Sequence, residues 1–231
     1  MKRVKCQMSL RGVKRRSNLK TRLLPASLTL AVAMTVALPF LLPAFAEKVT
    51  FLIDDFEGGM SNKIGGKANT YVQEPSRALA LLTKDKTQAH GGESFLTLKY
   101  DKKAKGGPYD SGGWCGYYTI LGPAKRYFDA TAYKMLTFWV KGATGEENFV
   151  VGMADQHWEE VGDSVKSEPI GKYLSVRRLT KEWQKAEIPL DTFLVDMKKL
   201  VSIAVCFEGS VLPNGEGKGT VYIDDIALES E

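Results

Sequence analysis

Ile53-Asp54-Asp55-Phe56-Glu57-Gly58-Gly59 and Val221-Tyr222-Ile223-Asp224-Asp225-Ile226 decide how this chain folds. Each sets carboxylates inside an apolar, β-forming run, and the two lie far apart in a 231-residue sequence. Charges embedded in such runs are tolerated only with hydrogen bonds or a cation beside them. The pair therefore predicts that the first and last strands of one domain meet in one sheet and close a β-sandwich.

Upstream of these strands the composition changes. Residues 1–25 carry nine Lys or Arg and no acid, followed by an apolar stretch, Ala26 to Phe45, that is broken by Pro39 and Pro43 and ends in Ala44-Phe45-Ala46. This pattern predicts a secretory signal peptide over residues 1–46, cleaved after Ala46, and a secreted or periplasmic protein that leaves the membrane on cleavage. Taking those nine from 32 basic residues leaves 23 against 27 acidic ones, a net charge of −4. The remaining basic runs, Lys102-Lys103 and Arg177-Arg178, are too short for a nucleic-acid footprint, which excludes that partner class. Residues 47–231 are enough for a single monomeric domain, able to bury roughly 70% of its unfolded surface without disulfides. Only Cys115 and Cys206 remain in it, and the sequence leaves open whether they pair.

Strand-like runs recur between glycine-rich turns: Val49 to Asp54, Ser94 to Tyr100, Trp114 to Leu121, Met135 to Lys141, Asn148 to Asp155, Ile170 to Ser175, Gln184 to Pro189, Leu200 to Phe207 and Gly219 to Leu228. Short helical pieces are expected at Arg77 to Leu82 and Leu190 to Lys199. The predicted class is all-β, a jelly-roll β-sandwich of two antiparallel sheets. Alternation in Leu136 to Lys141 puts Phe138 in the core and Trp139 on the opposite face, as cover for the sheet.

The order of Asp-Asp-Phe-Glu-Gly-Gly, Gly-Gly-Trp114, Leu-Thr-Phe-Trp-Val-Lys-Gly142, Glu182-Trp183-Gln184 with Ile188-Pro189-Leu190, and Val-Tyr-Ile-Asp-Asp-Ile resembles carbohydrate-binding modules, family 11 above all. The resemblance runs through residues 47–231 and implies a galactose-binding-like jelly roll that binds polysaccharide on a concave sheet face. It also implies one structural Ca2+ where the terminal strands join, held by Glu57 and Asp224; Asp55, two residues before Glu57 and on the same side of an extended strand, is a third candidate ligand. The strand pattern is similar, too, to assembly factors of respiratory complex I, which share the sandwich without binding sugar. Trp183 resembles a framework residue.

Sugar recognition needs flat apolar faces to stack on pyranose C–H surfaces and planar polar groups for the hydroxyls. Two clusters supply them. In Trp114-Cys115-Gly116-Tyr117-Tyr118, alternation sends Trp114 and Tyr118 one way and Tyr117 the other, so one of these faces is core. Asp155-Gln156-His157-Trp158-Glu159-Glu160 combines an aromatic with polar groups, as a binding loop does. The candidate ligand-binding residues are Trp114, Tyr117, Tyr118, His157 and Trp158, followed by Tyr71 and Tyr173. The leading reading is an exported, non-catalytic protein that recognises a β-glucan-like polysaccharide or oligosaccharide. The alternatives are a jelly-roll polysaccharide lyase or glycosidase using Asp155, Glu159, Glu160, His157 or Arg177, and a protein-interaction domain of the assembly-factor kind.

Overall fold

The computed structural model describes residues 47–123 and 126–230, so the expected signal peptide lies outside the described residues. The described chain forms β1 (Thr50–Asp54), β2 (Ala68–Val72), β3 (Arg77–Lys84), β4 (Ser94–Lys102), β5 (Cys115–Ile120), β6 (Met135–Gly142), β7 (Val150–Asp155), β8 (Val165–Pro169), β9 (Gln184–Pro189), β10 (Leu200–Cys206) and β11 (Gly217–Glu229), with one short helix, α1 (Gln156–Val161). The strands make two antiparallel sheets. One is six-stranded, ordered β3-β4-β11-β6-β9 with β1 also on β11; the other is five-stranded, ordered β2-β5-β10-β7-β8. The all-β jelly-roll sandwich expected from the sequence is the fold observed.

The 13-residue strand β11 holds the six-stranded sheet together. Gly217–Ile223 pairs with β4, Ile226–Glu229 pairs with β1, and β6 runs along the other side. Its neighbour changes at Asp224-Asp225, where the ladder to β6 is bulged and Asp225 adopts a left-handed backbone (φ 49°). Between the sheets, alternate residues of facing strands interdigitate. Phe138, Leu96, Ile223 and Leu136 meet Tyr117, Met153, Val151 and Ile203, and the rings of Tyr100 and Phe207 stack at 3.7 Å.

Three local expectations are corrected. Arg77 to Leu82, expected helical, is strand: Ala78, Ala80 and Leu82 pack inward while Leu79 and Leu81 face solvent, and eight registered pairs with β4 override the helix preference of Ala and Leu. Ile170 to Ser175 is not strand but begins with a 3-10 turn over Ile170–Tyr173; the strand is the polar Val165–Pro169 just before it. The Leu190 to Lys199 segment holds two three-residue 3-10 turns, Leu190–Thr192 and Met197–Lys199, in place of a helix. Ala68–Val72, absent from the expected strands, is β2.

Cys115 and Cys206 are both buried and free. The register places Cys206 opposite Gly116, so Cys115, one residue away, points to the other side of the sheet. Cys115 lies in the core between the sheets, and Cys206 packs with Val150 and Ala204 on the outer face. No bridge can form across a sheet. As expected, Phe138 is core, while Trp139 covers the second face of its sheet under the stacked His90 ring, centroids 3.7 Å apart. Trp183 is a framework residue: its indole Nε1 donates to the Gln88 carbonyl (2.9 Å).

Asp54, at the end of β1, is 2% exposed, and its Oδ1 accepts the Phe56 N–H (2.9 Å), steadying the left-handed turn at Phe56 (φ 57°). Burial pushes its carboxyl up from 3.8 to about 6, against the lowering effect of that N–H. The folded protein therefore holds this proton at pH values where the unfolded chain has released it, and Asp54 costs stability as pH rises from 3.8 towards 6. Asp54→Asn keeps an acceptor for Phe56 without the charge. The expected outcome, read by thermal unfolding, is a higher Tm than the parent by a few degrees at pH ~7.5 and a smaller difference at pH ~4.5; a difference independent of pH refutes the assignment.

Candidate functional site

The outer face of the five-stranded sheet is hollowed because the residues pointing out from its centre are small. Gly116 on β5, Ser202 and Ala204 on β10, and Gly152 and Ala154 on β7 stand side by side in register. Larger residues rise around them and enclose a groove of about 1440 Å³. Tyr71 from β2, Tyr118 from β5, Val150 from β7 and Lys166 from β8 all contribute, so the groove crosses the strands. Trp114, just before β5, and Tyr173, after β8, complete the aromatic lining.

Tyr71 is set by close packing. A Cβ on Gly116 would fall 2.3 Å from both the Tyr71 hydroxyl oxygen and the Val205 carbonyl oxygen, so glycine is required for the phenol to lie across β5. Burial, with the neighbouring Cys206 thiol, raises the Tyr71 pKa well above the ordinary phenol value, and burial lifts Cys206 to about 11. Both stay neutral. Tyr118 needs no such gap; it is half-buried, opposite Asn69 and Ala204 in the ladders. Tyr173 also packs partly against the core, and its hydroxyl accepts from the Glu168 N–H (3.4 Å).

The charges of the groove wall are largely paired with one another. Lys166 Nζ lies 2.6 Å from Asp163 Oδ1 and also donates to the Ser164 carbonyl and hydroxyl, and Lys172 lies 3.3 Å from Glu168. Aromatic faces beside short polar groups, with no concentrated charge of one sign, suit an uncharged ligand rich in hydroxyls.

The structure brings together Trp114, Tyr118, Tyr71 and Tyr173 of the expected ligand residues, and separates the other three. Tyr117 is a correction: it is 2% exposed and points between the sheets, because alternation along β5 gives the groove to its neighbour Tyr118. His157 and Trp158 sit on α1, outside the groove lining, with their rings edge to face at 5.5 Å. The residues weighed for hydrolase or lyase chemistry are also outside it. Asp155 caps α1 and accepts from Asp196 N–H (2.7 Å); burial opposes its ionisation, but the backbone donors of Asp196, Trp158 and His157 outweigh it and hold the carboxyl below the usual range. Glu159 and Glu160 are exposed on α1, and the Arg177 guanidinium donates to the Lys172 carbonyl. Lys166 and Glu168 on β8, Ser202 on β10 and Glu208 after it also line the groove; nothing in the sequence marks an outward polar residue as groove lining until the register is known.

At the terminal junction, Asp224 is fully buried; its Oδ2 accepts from His90 N–H (3.1 Å) and Gly91 N–H (3.2 Å), and its Oδ1 from Asp225 N–H. Glu57 Oε1 accepts from Glu93 and Ser94 N–H, each at 2.7 Å. Both carboxylates thus grip one loop, residues 90–94. Asp55 does not join them: its carboxylate is paired with Lys63 Nζ at 2.7 Å. Among the described residues, the group of potential ligands whose donor atoms lie within 4.8 Å of one another is His90, Asp224 and Asp225, with His90 Nδ1 already 2.8 Å from Asp225 Oδ2.

Comparison with solved structures places this fold among known modules. The chain is similar to the family 11 carbohydrate-binding module of Clostridium thermocellum in complex with a β-1,3-1,4-mixed-linked tetrasaccharide, at 16% identity and a TM-score of 0.56 over 78% of this chain and 94% of that one. It is similar to the family 30 module of a cellulosomal cellulase of the same organism, at 21% identity and 0.54 over 79% and 98%. A β-1,2-glucanase from Parabacteroides distasonis matches at 16% identity and 0.51 over 78% of this chain and 24% of the enzyme. At these identities the likeness establishes the jelly-roll fold. No curated protein matches the chain. The family described as Carbohydrate binding domain 30 matches residues 58–230, from the turn after Glu57 to the end of β11, and the chain belongs to that family.

Proposed function

We propose that the groove on the five-stranded sheet binds a β-glucan chain without cleaving it, in an exported protein. One observation carries this: four aromatic side chains, Tyr71, Tyr118, Trp114 and Tyr173, surround a floor of small residues in a groove that crosses the sheet. Trp114, Tyr118, Tyr71 and Tyr173 act as stacking faces, and Lys166, Glu168 and Ser202 meet hydroxyls. The mixed-linked glucan bound by the family 11 module supports the choice of polymer, and the basic, then apolar, first 46 residues support export. The test is affinity electrophoresis of residues 47–231 against soluble glucans, xylans and mannans. A retarded band with glucan is the expected result, and no retardation by any polymer overturns the reading. Tyr118→Ala is expected to weaken glucan binding about two- to tenfold, the range of one aromatic stacking contact, whereas Lys84→Ala, on an exposed edge of the other sheet, leaves it unchanged.

A structural Ca2+ at the terminal junction is part of the same proposal. Glu57 and Asp224 would be its ligands: both carboxylates face one loop, and among the described residues no Lys or Arg side chain bonds either of them. Burial raises Asp224 to about 6, against the lowering effect of the Gly91, Asp225 and His90 N–H groups. Bound there, Ca2+ supplies positive charge and ties the first strand to the last. Calcium at roughly a hundredfold excess over its Kd is expected to stabilise the protein by about 2.7 kcal/mol relative to chelator, a gain visible in thermal unfolding and lost in Asp224→Asn. An equal Tm in calcium and in chelator at near-neutral pH counts against the ion.

A further inference from the structure

Beyond the groove wall, the loop between β4 and β5 carries a second exposed ring. Tyr109 is 73% exposed and Trp114 46%, and their planes lie within 20° of parallel with centroids 6.4 Å apart. Trp114 lines the groove; Tyr109 stands outside it. The ring of Tyr109 contributes nothing to the core, yet the loop that presents it is firmly fixed.

The fixing is specific. Gly112 N–H donates to the Gly106 carbonyl (2.9 Å), Gly106 N–H to Asp110 Oδ1 (2.9 Å) and Asp110 N–H to the Gly107 carbonyl (3.2 Å), so the feet of the loop are bonded together beneath Tyr109. The buried Lys102 ammonium donates to the Ser111 carbonyl, and Ser76 Oγ donates to the Gly112 carbonyl. A Cβ on Gly107, Gly112 or Gly113 would fall 2.5, 1.8 or 2.0 Å from a backbone carbonyl oxygen of Glu74, Lys103 or Gln73, so the loop lies tightly against neighbouring backbone. Pro108 fixes the backbone immediately before Tyr109. A tyrosine has few torsions to lose, so a ring held this way is arranged for contact at low entropic cost.

We propose that Tyr109 is a further binding subsite, which stacks on a sugar ring of a long glycan chain as it leaves the groove past Trp114. The inference rests on the glucan-binding reading above and extends it to chain length. Five strands spaced about 4.8 Å apart give a sheet roughly 19 Å across, a span that a short oligosaccharide fills without reaching Tyr109. A polymer continues onto it, since the Tyr109 ring lies 6.4 Å beyond that of Trp114.

The test is isothermal titration of residues 47–231 with mixed-linkage β-1,3-1,4-glucan polymer and with its tetrasaccharide. Tyr109→Ala is expected to lower the affinity for polymer about fivefold while leaving tetrasaccharide within about twofold, and Tyr109→Phe is expected to retain parental affinity for both. Trp114→Ala weakens both ligands. Parental polymer affinity in Tyr109→Ala overturns the subsite, as does an equal loss on polymer and tetrasaccharide, which marks the loop as part of the groove itself. If the parent protein binds the polymer, these outcomes judge Tyr109 alone; if it does not, the groove reading falls and the subsite with it.

Discussion

The pairing of β11 with three other strands is the constraint on which the molecule depends. One 13-residue strand holds β4 and then β1 on one side and β6 on the other. It can exchange β4 for β1 only where the ladder is interrupted, and the interruption falls at Asp224-Asp225. There the loop of residues 90–94 brings N–H groups to the buried carboxylate, and Glu57, carried in on the segment after β1, takes the next two. The acids sit inside apolar runs because the exchange of neighbours leaves backbone donors that a regular ladder would have used. The outer side of the same loop is held by aromatic contacts: His90 stacks on Trp139, and Gln88 is bonded by Trp183 and by Lys141, whose ammonium lies over the rings of Trp183, Tyr222 and Phe95.

The two sheets divide the tasks. The six-stranded sheet closes the domain and spends its outer aromatics on its own loop, so Trp139 and Trp183 are committed to packing. The five-stranded sheet sets its outer aromatics around a floor that includes Ser202 and Ala204. Its strands are joined to the core through the opposite face, by Tyr117, Val151, Met153 and Val205. Outward residues of this sheet can therefore serve a ligand at little cost to stability, since the buried apolar area lies on the other side.

How far the sequence could be read follows from which signals are local. Apolar runs, glycine turns and acid-bearing terminal strands are local patterns, and they were enough for the sandwich and for the meeting of β1 with β11. Alternation separated Tyr117 from Tyr118 but could not say which was core, since an outward face packed by another element reads like an inward one. Arg77 to Leu82 reads as helix because Ala and Leu favour helix in isolation, whereas the alternation of Ala78, Ala80 and Leu82 acquires meaning only beside β4. His157 and Trp158 read as a binding loop by composition, but Asp155 caps a short helix there and neither residue lines the groove. Asp55 was grouped with Glu57 by spacing along an extended strand; the chain instead turns at Phe56, where φ is 57°, and Asp55 goes to Lys63.

Gly116 shows how the site depends on close approach as much as on the rings themselves. With no Cβ at that position, the Tyr71 hydroxyl drops onto β5 beside Cys206, and its polar end is spent within the protein. The ring is then held in place along the groove wall. Tyr118 is half-buried, opposite Asn69 and Ala204. Two tyrosines on neighbouring strands are thus held differently, Tyr71 in the gap left at Gly116 and Tyr118 opposite Ala204.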